Sequence, residues 1–209
     1  MHGMAGSHLI TDEATLTTLY GESSPAALTK EIDYLHPHYA AMIAASPFVV
    51  LATSGPDGLD VSPRGDPAGF VTIEDDRTLL IPDRRGNNRT DSLRNLITDP
   101  RIALLFLIPG VGETLRVNGR AEISIDPALL ARFTMQGKLP RSVIVVHVET
   151  VYFQCPKALV RSELWNPAKQ IERKSLPSTG TMLADITSGA VGGEQYDRDY
   201  PERLKATIY

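Results

Sequence analysis

Between Pro47 and Phe153 the chain is a succession of short β-type runs: FVVLATS, LDVSP, GFVTIE, TLLIPD, RIALLFLI, TLRVNGRAEISI and SVIVVHVETVYF. They are rich in Val, Ile, Leu and Thr and are bounded by Gly, Pro, Asp and Asn, the residues that turn a chain. The GPDG between the first two reads as a hairpin turn. Only two short helical insertions interrupt the series, NRTDSLRNLITD and DPALLARFTMQ. At least six strands in an order dominated by hairpins predict an antiparallel barrel, because a parallel α/β sheet would need a helix between most strands.

The flanks read differently. In SPAALTKEIDYL, Ser24 is placed to cap a helix and Pro25 to occupy its first position; HPHYAAMIAAS repeats the device with Pro37. After Trp165 comes LPSTGTMLADITSGAVGGEQ, rich in Gly, Ser and Thr, and then a charged end, YDRDYPERLKATIY. This tail reads as an extension that packs on a partner or over a site. The expected organisation is a helical extension over 1–36, a barrel over 37–165 and a C-terminal extension over 166–209.

Charge and cysteine content restrict the function classes. The formal net charge of −4 gives no electrostatic reason to expect nucleic-acid binding, so an anion site must be built locally. Cys155 is the only cysteine, which excludes an intramolecular disulfide and a cysteine-only metal site and fits a reducing compartment. No apolar run approaches a membrane span, and MHGMAGSHLITDEA lacks the basic and apolar regions of a signal peptide. A cytoplasmic protein without membrane contact is expected.

Against that acidic background, PDRRGNNRTDSLRN (Pro82 to Asn95) holds four arginines, three asparagines and a glycine. It follows a strand and its second half opens a helix, with Asn88, Thr90 or Asp91 available as caps. Free N–H groups at a helix start and Arg84, Arg85 and Arg89 could converge on one anion, for which a phosphate is the natural guest. By composition alone the run reads first as a solvated loop with ordinary capping. VSPRGDPAGF supplies a second cation, Arg64, at a strand end before Gly65, where the backbone can approach a flat ligand.

Taken in order, VSPRGDPAGF, NNRTDSLRN, TDPRIALLF and VNGRAEI resemble the pyridoxamine 5′-phosphate oxidase class of FMN-binding split barrels. The later YFQCPKALVRSELW is similar to the corresponding segment of members labelled probable FMN-dependent enzymes. The resemblance spans Pro37 to Trp165. It implies a mainly β (α+β) fold, an antiparallel FMN-binding split β-barrel with short flanking helices, and a site completed across a two-fold homodimer. One feature of the oxidase proper is missing: nothing matches its RLHDR-like segment, whose arginine and histidine hold the pyridoxamine phosphate. Vitamin B6 oxidation is therefore not implied.

Carried over residue by residue, the resemblance gives Arg64, Asn88 and Arg89 the phosphate of FMN, with Ser92 adding a hydroxyl. Gly65 and Asp66 would read the ring edge through their backbone. Thr114 and Arg116 lie on a strand expected to face the cofactor, where alternation is expected to let only one point inward. Lys157 and Arg161, with Trp165, are spaced along one face of a short helix after Pro156 and would reach the partner's flavin. The plainer assignments are that Lys157 and Arg161 cap the helix or pair at the interface, and that Trp165 is a core aromatic. Arg84 and Arg85 either assist or solvate the loop.

Other polar residues have ordinary explanations. His36 and His38 flank a helix start, His147 reads as a strand residue, and Cys155 has no evident base beside it. There is no zinc spacing, serine-nucleophile motif or P-loop. No catalytic residue and no metal site is assigned. The expected function is FMN-dependent electron or hydride transfer on a small organic substrate. A deazaflavin- or haem-binding barrel, or a flavin sensor or carrier without turnover, remains the alternative.

Overall fold

The β-type runs pair into one seven-stranded antiparallel sheet in the computed structural model, which describes residues 8–209. The first seven residues belong to the expected 1–36 extension and to the segment read for a signal peptide. They lie outside the described residues. The strands are β1 (Phe48–Gly55), β2 (Gly58–Gly65), β3 (Thr72–Asp75), β4 (Thr78–Asp83), β5 (Arg101–Leu107), β6 (Thr114–Ser124) and β7 (Ser142–Gln154). Their order across the sheet is β2-β1-β5-β6-β7-β4-β3.

Alternation folds this sheet around one core. Val49 and Leu51 of β1, Leu79 and Ile81 of β4, and Leu104 and Phe106 of β5 point inward and are buried. Leu115 and Val117 of β6 and Ile144 and Val146 of β7 complete the layer. Each such side chain contributes about 1.5–3 kcal/mol by leaving water. Among the described residues no ladder joins β2 to β4, and the two are linked across the gap by an ion pair, Arg64 to Asp83. The expected split barrel, mainly β with helices around it, is what forms. A bulge at Asn118/Gly119 lets β6 bend, and a Cβ at Gly119 would stand 2.0 Å from the His147 carbonyl oxygen, so only glycine fits there.

The helices follow their caps. α1 (Glu13–Tyr20) lies within the expected helical extension, ahead of the two helices that the Pro signals mark; Asp12 caps it through the Thr15 N–H. α2 (Pro25–Thr29) starts at the Ser24 cap as expected but stops early, because Ile32 pairs with Val151 and draws the chain into the sheet. In α3 (Pro37–Ala45), Tyr39 and Ile43 are buried one turn apart. α4 (Asp91–Thr98) packs Leu96 into the core, and its Asn95 Nδ2 donates to Thr53 Oγ1 of β1 at 3.1 Å. In α5 (Pro127–Ala131), Asp126 is the cap.

Two expectations are corrected, and the tail gains a structure that the sequence reading left open. β3 begins at Thr72 rather than in the GFV that precedes it, because Gly69 (φ +87°) and the Phe70 N–H bonded to the Pro67 carbonyl form a turn. α6 (Lys157–Ser162) ends at Glu163 in the left-handed region, so Trp165 leaves the face of Lys157 and Arg161; its indole N–H donates to the Val111 carbonyl at 2.8 Å. The Gly/Ser/Thr-rich tail is a helical hairpin, α7 (Thr179–Ile186) and α8 (Gly193–Thr207). A Cβ at Gly180 would come within 2.3 Å of the Gly193 carbonyl oxygen, so the glycines permit a close helix crossing rather than a loose linker. Among the described residues no helix is long and apolar enough to cross a membrane.

Candidate functional site

Register decides which side chains of β2 face inward. Val49, Leu51 and Thr53 of β1 are buried, and they stand opposite Arg64, Ser62 and Asp60 of β2. Directly paired residues share a face, so β2 turns three polar side chains toward the core and leaves Leu59 and Val61 outside, 86 % and 66 % exposed. On the far side of the gap, Asp83 lies on the face of Leu79 and Ile81 and is paired with Ser142 of β7. One end of the barrel interior is therefore polar. α4 roofs it: the buried Ser92 donates from Oγ to Asp60 Oδ2 at 2.5 Å and lies 3.0 Å from Ser62 Oγ.

The polar end opens into a cavity of about 390 Å³ whose walls include Arg64, Asp83, Arg84, Asn88, Arg141 and Ser142. That volume is within the range of small-molecule and cofactor sites. Among the described residues two buried polar side-chain atoms have no hydrogen-bond partner, Arg64 Nε and Ser142 Oγ, and both belong to residues of this wall. Thr90, which precedes α4, is in the left-handed region and makes no side-chain cap, so the first-turn N–H groups of α4 have no side-chain acceptor. Asn88, also left-handed at φ +62°, is a residue type that tolerates that conformation. Three arginines against one carboxylate, with unmatched donors, suit an anion.

The expected site residues divide into those gathered here and those held elsewhere. Arg64, Asn88 and Ser92 stand at the cavity or its roof. Arg89 lies beside it but turns outward: its side chain is 76 % exposed and its Nε donates to Asp91 Oδ2 at 2.8 Å, a pair that raises the Arg89 pKa. Gly65 ends β2, where an added Cβ would meet the Pro47 carbonyl oxygen at 3.3 Å. The Asp66 N–H is already bonded to that same oxygen, and the Asp66 carboxylate is buried against Arg84 Nε at 2.8 Å. Arg84 therefore does more than solvate the loop.

Thr114 and Arg116 share the outer face of β6, because residues two apart on a strand point the same way; the expectation that alternation would separate them fails on that ground. Thr114 Oγ1 donates to Gln154 Oε1 at 3.3 Å, and Arg116 donates to the Tyr152 hydroxyl at 3.1 Å and to Asn118 Oδ1 at 3.2 Å. Lys157 and Arg161 are exposed on α6, which follows the end of β7 opposite Ser142. They do not meet their own chain's split cavity. His147 is exposed on the outer side of β7, 3.7 Å from Glu122, away from the cavity. Among the described residues no cluster of His, Cys, Asp and Glu could hold a metal.

Ser142, Asp83 and Arg141 are the wall residues that sequence reasoning missed. The signal for the first two was the register Asp83↔Ser142, which only pairing β4 with a strand sixty residues downstream reveals.

Comparison with known proteins adds the following. A family model described as pyridoxamine 5′-phosphate oxidase matches residues 35–155. No curated protein matches the sequence. Among solved structures, HupZ of Group A Streptococcus is 18 % identical, with 57 % of this chain and 99 % of that one covered, at a TM-score of 0.48. A protein named F420 reductase is 20 % identical, with 57 % and 98 % covered, at 0.41. An FMN-binding protein from Syntrophomonas wolfei subsp. wolfei is 15 % identical, with 54 % and 80 % covered, at 0.42.

Proposed function

The chain belongs to the pyridoxamine 5′-phosphate oxidase family, and from that premise we propose that it is an FMN-dependent oxidoreductase acting, as a homodimer, on a small organic substrate other than a B6 vitamer. One observation carries the reading: two buried donors, Arg64 Nε and Ser142 Oγ, lack acceptors in the wall of one cationic cavity. A buried donor without a partner costs about 1–3 kcal/mol. A phosphate dianion accepting from both removes that cost, and the uncapped start of α4 adds backbone N–H groups.

In this reading Arg64 and Ser142 hold the phosphate, Asn88 and the first turn of α4 orient it, and Arg84 and Arg141 keep the potential positive. Asp83 neutralises Arg64 and fixes its guanidinium along the gap. Ser62, Ser92 and Asp60 brace the roof. The bound flavin supplies the electron or hydride transfer; the chain supplies binding, orientation and electrostatics. The exposed outer face of β2, with Leu59 and Val61, is what a second copy covers. Lys157 and Arg161, out of reach of their own cavity, then approach the partner's. The absence of an RLHDR-like segment argues against pyridoxamine phosphate as substrate.

The test is the absorption spectrum of the purified protein and the mass of any released cofactor, followed by titration with FMN and with riboflavin. FMN binds stoichiometrically and more tightly than riboflavin. Arg64→Ala lowers FMN affinity about ten- to a hundredfold, the loss of charge-assisted hydrogen bonds worth roughly 1.5–3 kcal/mol. Arg89→Ala, whose parent side chain already faces solvent and Asp91, changes it by less than about threefold. Equal affinity for riboflavin and FMN, or release of a deazaflavin or haem, overturns the assignment. Binding without electron exchange with any nicotinamide or small-molecule acceptor makes the protein a flavin carrier instead.

A further inference from the structure

Behind Arg84 lies a second cavity, of about 190 Å³, lined by Arg84, Arg85, Lys138, Leu139, Arg141 and Tyr209. Four of these side chains are cations and none is a carboxylate. Tyr209, two residues beyond α8, forms part of its wall. The Tyr209 hydroxyl donates to Asp66 Oδ1 at 2.7 Å, and the other oxygen of Asp66 accepts from Arg84 Nε at 2.8 Å. The Asp66 side chain is only 2 % exposed. The Arg84 guanidinium carbon stands 5.6 Å from the centre of the Tyr209 ring, and Lys138 Nζ donates to the Tyr209 main-chain oxygen at 2.8 Å.

These contacts are all that ties the tail to the barrel by hydrogen bonds. Among the described residues, the other hydrogen bonds and ion pairs of residues 170–209 stay within the tail segment: Ser178 Oγ and the Gly180 N–H both donate to Asp197, and Arg173 donates to the Leu176 and Pro177 carbonyls. The α7–α8 hairpin is thus self-contained and is held to the barrel at one residue. That residue grips the buried Asp66–Arg84 pair, and Arg84 also lines the cavity assigned to the phosphate.

We propose that the α7–α8 hairpin is a strap, latched by Tyr209 onto Asp66, Arg84 and Lys138, that closes the rear cationic cavity, and that a small oxyanion opens it by taking Lys138 and Arg84 from Tyr209. The chemistry is a competition for donors. Lys138 donates to the tyrosine through one main-chain oxygen, and Arg84, held by Asp66 and by the Phe133 carbonyl, meets only its ring. A phosphate dianion offers Lys138 and the free edge of Arg84 several charged oxygens at once, more hydrogen bonds than one main-chain oxygen and a ring supply. The phenol donates to a carboxylate that Arg84 already satisfies, so its loss strands no buried charge. A latch of two hydrogen bonds is weak enough to yield to a ligand and strong enough to hold a self-folded hairpin. The latch needs no flavin; that Arg84, which lines both cavities, couples its opening to the flavin phosphate rests on the FMN reading.

The experiment follows tryptic cleavage within α8, at Arg198, Arg203 and Lys205, in the full flavin-free chain, with inorganic phosphate as the probe. Phosphate raises the cleavage rate of the native protein. Tyr209→Ala raises it without phosphate by roughly five- to tenfold, the equilibrium weight of a lost latch hydrogen bond, and leaves little further response to phosphate. Tyr209→Phe, which keeps the ring and the Lys138 contact, falls between. Cleavage that is the same in native protein and both variants, or a native protein indifferent to phosphate, overturns the strap. So does a lowered barrel unfolding midpoint in Tyr209→Ala, which would make Tyr209 a packing residue. A parallel FMN titration separates the two proposals: a latch that responds as described in a protein that binds no FMN refutes the flavin reading alone, whereas FMN binding with unaltered cleavage refutes the strap alone.

Discussion

β1 and β2 are both eight residues long and are paired along their whole length, yet they bury opposite kinds of side chain. β1 sends Val49 and Leu51 into the core and leaves Val50 and Ala52 half-buried outside. β2, its neighbour, sends Asp60, Ser62 and Arg64 inward and puts Leu59 and Val61 in contact with solvent. A strand that pays for its fold by burial would have the reverse alternation. The inversion places β2 at the edge of the split, where its inner face meets a polar cavity and its outer face is open to solvent. One strand builds the fold and the other builds the site.

Substitution at the paired positions Leu51 and Ser62 tests this most strongly. Leu51 is fully buried, so Leu51→Ala leaves a cavity and costs about 2–5 kcal/mol of stability. Ser62→Ala, directly across the ladder, removes a contact with Ser92 that still has Asp60 as acceptor, and costs less than about 1 kcal/mol. Denaturant unfolding of the two variants measures both. Similar losses would mean that β2 is as much a core strand as β1.

The outer faces give the next effect. Val61→Lys puts a charge into the apolar face of β2 proposed to meet a second copy, and on that proposal weakens self-association by more than about 2 kcal/mol, near thirtyfold. Sedimentation equilibrium of native and variant protein reads it, and the unfolding midpoint of the monomer should not move, since Val61 is exposed within one chain. A native protein that is monomeric at micromolar concentration would leave the apolar face of β2 without its proposed partner.

The same inversion explains what could be read from the sequence. Strand runs, their antiparallel order, the Ser24 cap and Pro37 at a first helical position were legible, because periodicity and capping are local. Arg64 was legible as a residue but not as an inward one: apolar-in alternation would have turned Leu59 and Val61 to the core, and only the register with β1 reverses that. Arg89 and Arg64 are the same residue type in the same motif set, yet a loop conformation that sequence does not encode in any periodic way turns Arg89 to Asp91. Ser142 required a pairing between distant strands. The tail hairpin was hidden because glycines that allow two helices to touch look, in composition, like a linker.

The smallest effect concerns the joint between the roof of the β2 cavity and the strand next to β1. Asp99, at the end of α4, accepts the Arg101 backbone N–H at 3.1 Å and the guanidinium at 2.9 Å from Nε and 2.5 Å from Nη2. The guanidinium first and the N–H second hold its pKa at about 2, below the ordinary value of 3.8. A carboxyl group depressed in the folded state stabilises the fold fully above its unfolded pKa, and that contribution is lost as pH falls through the folded one. Asp99→Asn should therefore lower the melting temperature by a constant small amount above about pH 4, with the gap closing toward pH 2. The amount is small because the Arg101 side chain is mostly in water, where such pairs are screened. If the joint matters to the roof, FMN affinity should follow the same pH course in the native protein and not in the variant. A gap that stays constant down to pH 2 would show that Asp99 serves α4 and β5 only as a neutral hydrogen-bond acceptor, and that acid reaches the β2 cavity by another route.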